Sequence, residues 1–303
     1  MTFARRPLIV SPRYFSAGEL IERVRTADHM GVDEIWLEQQ PDQRDATVFA
    51  AAYLNAVPTV RVGTAVLPVY ARHPVSMAQS AASLAEVSGG RYMLGLGFSH
   101  QFINEFVLGH KQGPPIRVMR EYLSIVRELI TTGSVDWDGE VFTAHAQYTS
   151  PRLPVPFYLA ALRPQMIRLA VEFCDGILLL LCSPRYIREH VMPVVHEACA
   201  EFGKSADEFR VLVNLPAYSG SEVADHRAQW AKYVTSYRML PYYRYVLDIN
   251  GRHDPEVLSL IGSREEIRDR LCEYRTSGCV PVPQPIGASV DEFAQTVEDC
   301  FLD

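Results

Sequence analysis

Leu84-Ala85-Glu86-Val87-Ser88-Gly89-Gly90-Arg91-Tyr92-Met93-Leu94-Gly95-Leu96-Gly97 carries the chain off the end of a helix and into a strand. The helical pattern opens at Pro74, a residue suited to a first helical position, and Gly89 can take the backbone turn that stops it. Arg91–Leu96 is then a short, near-continuous apolar run, as expected of a strand buried on both faces.

The same alternation extends both ways along the chain. Strands are predicted at Leu8–Val10, Glu34–Leu37, Val60–Pro68, Arg91–Leu96, Pro156–Ala160, Gly176–Leu181, Phe209–Ala217 and Cys279–Pro283. The segments between them carry helix punctuation. Ser16 with Glu19, Ser263 with Glu266, and Ser289 with Glu292 form capping-box pairs. Gly31 and Gly278 stand where the first and second of these helices should stop. Asp45 opens a helix that Pro58 closes, and Arg163-Pro164 opens another through Phe173. Eight strand–helix units in alternation predict an α/β chain with a parallel sheet closed into a (β/α)8 TIM-like barrel, as one domain over residues 1–303. Two segments exceed a minimal unit, Phe98–Arg152 after strand four and Tyr218–Gly262 after strand seven. Both are expected as insertions over the mouth of the barrel, where pockets are built.

Composition narrows the function. The 303 residues are 48% hydrophobic and 21% charged, enough apolar surface for a folded core. The longest apolar run, Gly176–Cys182, is far too short to span a bilayer. A net charge of −7 argues against nucleic acid as a partner. The six cysteines include no C-x-x-C pair, and no apolar leader precedes Leu8, so a reduced, cytoplasmic protein is expected. No metal-ligand spacing, P-loop or G-x-S-x-G elbow is present, which removes metal hydrolysis, nucleotide-triphosphate chemistry and serine hydrolysis.

Four groups remain as candidates. Gly95-Leu96-Gly97-Phe98-Ser99-His100 begins like a dinucleotide fingerprint but lacks its third glycine; it instead lets backbone approach a flat ligand, and His100 sits just past a strand end. Arg163-Pro164-Gln165-Met166 forms a helix start with free N–H groups and a forked cation, suited to phosphate. Glu38-Gln39-Gln40 places a carboxylate and two amides at the end of strand two, and Arg72-His73-Pro74 reads as structural. Tyr233, Tyr237, Tyr242, Tyr243 and Tyr245 put five of fifteen tyrosines into one short segment, either as packing or as an aromatic wall over a planar ligand.

In Ala27–Leu37, Arg61–Pro68, Arg72-His73-Pro74, Leu84–Gly97, Pro156–Met166, Leu169-Ala170 and Cys174-Asp175-Gly176, the chain resembles the luciferase-like monooxygenase superfamily. Within it, the resemblance is to the branch that uses the deazaflavin coenzyme F420. It implies a TIM-like barrel that binds F420, or alternatively FMN, at its C-terminal mouth, and a homodimer acting on a small molecule. It implies a strand-three bulge with a cis peptide at Ala65–Val66. The cofactor contacts carried over are Gln39, Thr64, Ala65, Val66, Gly97, Phe98, Ser99, His100, Ala160, Ala161, Leu162, Arg163, Pro164, Gln165 and Met166. The implied activity is hydride exchange between the deazaflavin C5 and an activated C=C, C=N or C=O, with His100 as proton partner and Gln39 as ring or carbonyl donor. Two departures stand out. Relatives carry Asp-His or Glu-His-His where this chain has Glu38-Gln39-Gln40, and Gly-Pro where it has Arg163-Pro164. Glutamine cannot shuttle a proton near neutral pH. The alternatives are an FMN-dependent monooxygenase and, because of the first departure, a non-catalytic flavin- or deazaflavin-binding relative.

Overall fold

The computed structural model describes residues 5–250 and 255–301; Met1–Ala4 of the N-terminal stretch and residues 251–254 of the second long segment lie outside them. The strands are β1 (Pro7–Ile9), β2 (Glu34–Leu37), β3 (Arg61–Thr64), β4 (Leu67–Pro68), β5 (Tyr92–Gly97), β6 (Ser134–Asp138), β7 (Thr143–Gln147), β8 (Phe157–Ala160), β9 (Gly176–Leu180), β10 (Arg210–Tyr218), β11 (Leu260–Ile261) and β12 (Val280–Pro285). The helices are α1 (Ala17–His29), α2 (Ala46–Ala56), α3 (Pro74–Ser88), α4 (Pro115–Thr132), α5 (Pro164–Phe173), α6 (Pro184–Tyr186), α7 (Met192–Phe202), α8 (Val223–Tyr237), α9 (Pro241–Ile249), α10 (Arg264–Thr276) and α11 (Val290–Phe301).

Parallel pairing runs β1-β2-β3-β5-β8-β9-β10, and β12 joins β10 from Leu212↔Val280 to Ala217↔Pro285. With β3 and β4 counted as one interrupted strand, this is a nearly closed eight-stranded parallel barrel. The helix signals hold locally. Ser16–Glu19 and Ser263–Glu266 form complete capping boxes, Ser289 and Glu292 bond reciprocally, and Asp45 caps α2. Each satisfies N–H groups that a first turn leaves unpaired. Arg72 pairs with Asp45, and the His73 ring accepts from the Val75 N–H at the start of α3, so both are structural as expected.

Two expectations change. Strand three is not continuous over Val60–Pro68: it breaks after Thr64, at the Ala65–Val66 peptide, which is cis as the resemblance implied. Beyond the loop that carries His100, the segment after strand four does not build over the mouth. Its α4 is the barrel's own fourth helix, followed by an antiparallel hairpin, β6–β7, packed along α3 and α4. The buried Glu121 carboxylate holds the hairpin turn by accepting from the N–H groups of Glu140, Val141 and Phe142.

Strand alternation gives the barrel an inside. Ile9, Trp36, Met93, Tyr158, Leu178, Leu212 and Val282 fill the lumen, while a larger apolar layer lies between strands and helices. At the N-terminal floor, Glu34 is fully buried. Both of its oxygens accept from Arg210 at 2.9 Å, and Arg5 and Arg61 stand 3.2 and 3.5 Å away. Burial works against the Arg210 charge, yet the Glu34 bond outweighs it and raises the guanidinium above its ordinary value. Among the described residues β1 and β12 pack side by side without a ladder. Across this seam the buried Arg23 of α1 donates to the carbonyls of Gly287, Ala288 and Ser289, stacked between Phe15 and Phe293.

Replacing Glu34 by Gln leaves three arginines facing a neutral amide in a dry floor. The expected loss is about 3 kcal/mol of unfolding free energy, read from urea denaturation.

Candidate active site

Thr64 is the hinge of the upper barrel. Its hydroxyl donates to the Gly95 carbonyl and accepts from the Gly95 N–H, both at 2.9 Å. A Cβ on Gly95 would overlap the Thr64 carbonyl oxygen, and one on Gly97 would overlap Val66. Glycine is therefore what lets β5 lie against the interrupted strand. Beyond this contact Ala65, Val66 and Ala160 are only half-buried, so the floor of the mouth is made of small side chains with open space above.

The strand phase decides which polar groups face that space. Trp36 points into the lumen, so Glu38, two residues on, shares its side. Glu38 Oε1 accepts from Ser11 at 2.5 Å, Gln284 at 3.3 Å and Gln43 at 3.4 Å. Ser11 and Gln284 follow the lumen residues Ile9 and Val282 by two positions, which sets all three side chains at the same opening. Glu38 Oε2 is buried without a partner, and so is Asn214 Oδ1, two residues beyond the lumen residue Leu212. Gln39 lies on the other face: its side-chain oxygen accepts from the Ala46 N–H and caps α2. The structure thus brings Glu38 to the mouth and engages the Gln39 carbonyl elsewhere.

The loop after β5 turns at Ser99, whose φ is +64°, and sets His100 half-buried under the roof. Buried Asn104 holds the loop by donating to the Phe98 carbonyl at 3.0 Å. The roof is α8 and α9. Trp230 stacks on Tyr233 with centroids 5.0 Å apart, Tyr233 meets Tyr237, and Tyr237 meets Tyr243. His100 closes the row, 6.1 Å from Tyr237 and 5.8 Å from Tyr243. The Tyr233 hydroxyl donates to the Tyr237 oxygen at 2.7 Å, which leaves the Tyr237 proton to serve another acceptor. Asn250, at the end of α9, bonds the Leu181 carbonyl and Ser183, so the roof is anchored on the loop after β9.

On the strand-five side, Ala161 is buried, Leu162 is half-buried with its carbonyl bonded by Tyr186, and Arg163, Pro164 and Gln165 are exposed at the start of α5. Half-buried Met166 packs onto the core behind them. The Arg163 guanidinium lies over the Tyr245 ring at 4.6 Å, presenting its fork beside the start of α5, where the Met166 N–H already bonds the Arg163 carbonyl. A cavity of about 680 Å³ sits at the opposite end of the barrel beside Phe157. Its cations Arg127 and Lys204 donate to the backbone carbonyls of Phe173 and Cys174. It holds no comparable grouping.

Sequence reasoning missed Ser11, Asn214 and Gln284, which become visible only once the alternation is anchored on a residue known to face the lumen. It placed the tyrosines as either packing or wall; Tyr233, Tyr237 and Tyr243 pack against one another.

Residues 1–280 match the family description luciferase-like monooxygenase, and the chain belongs to that family. It is 29% identical over 210 residues to 5,10-methylenetetrahydromethanopterin reductase of Archaeoglobus fulgidus, covering 69% of this chain and 61% of that protein. It is 28% identical over 217 residues to F420-dependent glucose-6-phosphate dehydrogenase of Amycolatopsis mediterranei, covering 65% and 64%. These matches span less than two thirds of either relative. Among solved structures, an F420-dependent secondary alcohol dehydrogenase in complex with an F420-acetone adduct shares the fold with a TM-score of 0.83 and 18% identity, over 98% of this chain and 99% of that one. No helix among the described residues is long and apolar enough to cross a membrane.

Burial lowers the His100 imidazole pKa below its ordinary 6.5, so the unfolded chain takes up that proton more readily than the folded one. This contribution to stability is complete above the ordinary value and is lost as pH falls from there through the folded value. Thermal unfolding between pH 7.5 and 5.5 should show a smaller acid loss in His100→Gln than in the parent chain.

Proposed function

We propose that the chain exchanges a hydride between C5 of coenzyme F420 and a small organic substrate bearing an activated C=C, C=N or C=O group. The observation that carries this reading is the open mouth itself: a small-residue floor at Ala65, Gly97 and Ala160, with an aromatic roof above and an anion-suited helix start at one side. Two orphaned buried acceptors, Glu38 Oε2 and Asn214 Oδ1, fit a ligand that brings its own N–H or O–H donors there. The relatives named for F420 favour the deazaflavin over FMN.

When bound, the deazaflavin supplies a two-electron hydride site at a carbon where a flavin has nitrogen. The protein's part is orientation and electrostatics. Thr64, Ala65 and Val66 back the ring, while Gly97, Phe98 and Ser99 let the loop approach its tail. Arg163, Pro164, Gln165 and Met166 offer the helix start to its phosphate, with Ala160, Ala161 and Leu162 leading into that turn. His100, neutral near pH 7, presents one donor and one acceptor at the edge of the mouth. Tyr233, Tyr237 and Tyr243 exclude water and flatten the substrate space. A cytoplasmic homodimer completes the reading.

Fluorescence titration of oxidised F420 against the chain should show saturable binding, with FMN at least about tenfold weaker; equal or tighter FMN binding would overturn the choice of cofactor. Arg163→Ala should weaken F420 about tenfold, and the loss should shrink as salt rises, as expected for one charged contact.

A further inference from the structure

A carboxylate held by one oxygen and bare on the other is a base already aimed. Glu38 Oε1 takes hydrogen bonds from Ser11, Gln43 and Gln284, which come from the β1 end, the loop after β2 and β12. These three neutral donors fix the plane of the carboxylate without neutralising it. Oε2 has no partner although it is out of water, a costly state that a ligand's O–H or N–H relieves. Tyr233 and Tyr237 of the roof are linked hydroxyl to hydroxyl. Tyr237 has its own hydroxyl proton free to donate, because its oxygen already accepts from Tyr233.

The geometry points to Glu38 as the group that exchanges the substrate's proton, and to a substrate whose reacting centre is a hydroxyl–carbonyl pair. This deepens the hydride-transfer reading and rests on it. In the oxidation direction the substrate C–H bond breaks and its electron pair leaves as hydride for C5 of the deazaflavin. The O–H bond breaks heterolytically, its electron pair becomes the second C–O bond, and the proton passes to Glu38 Oε2. Reduction runs the same steps backwards, with Glu38 returning the proton to oxygen. His100, the proton partner expected from the sequence, has its ring 6.1 and 5.8 Å from those of Tyr237 and Tyr243. Ser11 and Gln284 are positioning residues that act through Glu38.

The test uses the full-length chain without cofactor and 4-nitrophenol as a flat hydroxyl-bearing probe whose ionisation is read by absorbance. Donating its O–H to Glu38 favours the neutral phenol, so the bound probe's pKa should rise by at least about one unit, and nitrophenolate should bind at least tenfold more weakly than nitrophenol. Glu38→Gln keeps the shape and the Ser11 bond and should abolish the rise, with cooperative thermal unfolding showing that the variant is folded. Ser11→Ala should reduce the rise, and His100→Gln should leave it intact. A probe that does not bind, or a rise that persists in Glu38→Gln, overturns the assignment. Failure to bind F420 with the probe shift intact would instead overturn the hydride-transfer reading and leave Glu38 as the acceptor of the site.

Discussion

The barrel must close although its first and last strands share no ladder, and side chains do the closing. Glu34 gathers arginines from before β1, from β3 and from β10 at the floor. Glu38 joins Ser11 to Gln284 at the rim, and Arg23 crosses the seam from outside to three consecutive carbonyls. A buried carboxylate among cations is stable only when all of its partners are in place, so the floor network favours one registration of the strands over looser closures. The lumen above inherits that registration. Trp36 lies edge-on to Tyr158 at 4.9 Å, and Tyr158 accepts from the same Arg210 that grips Glu34. The position of the mouth is therefore set from below.

The upper layer shows how a packed barrel leaves room for a ligand. Large side chains fill the middle of the lumen, and the positions one layer higher are Ala65, Gly97 and Ala160. Where the layer is polar, at Glu38, Asn214 and Gln284, the groups come from β2, β10 and β12, and only part of their hydrogen-bonding capacity is met within the protein. A core that leaves buried acceptors unpaired gives up stability at the place where it gains affinity for a donor.

Much of the fold was legible because its signals are local. Capping boxes, prolines at first helical positions and stopping glycines act over a single turn, and the helices at Ser16, Asp45, Pro74, Pro164, Ser263 and Ser289 begin where those residues place them. The β6–β7 hairpin was missed because its strands are mostly exposed and carry small or acidic residues; the Asp138-Gly139 pair at its turn is the signal that could have found it. The Glu38–Gln39 ambiguity has a different cause. Glu34–Leu37 is buried on both faces, so its residues show no alternation to tell lumen from helix layer. The contacts that resolve it join residues 11, 38 and 284, and no local pattern reports a meeting of that range.

The ligand-facing surface divides by chain segment. The floor is drawn from separate strand ends locked to one another through Thr64, Gly95 and Glu38, so a change there is felt around the ring. The roof comes from one continuous stretch, α8 and α9, bounded by the end of β10 and the short β11 and pinned at Asn250. The roof is thus an exchangeable cassette. Its residues can be replaced as a block, altering which molecules are admitted, while the machinery beneath keeps its registration.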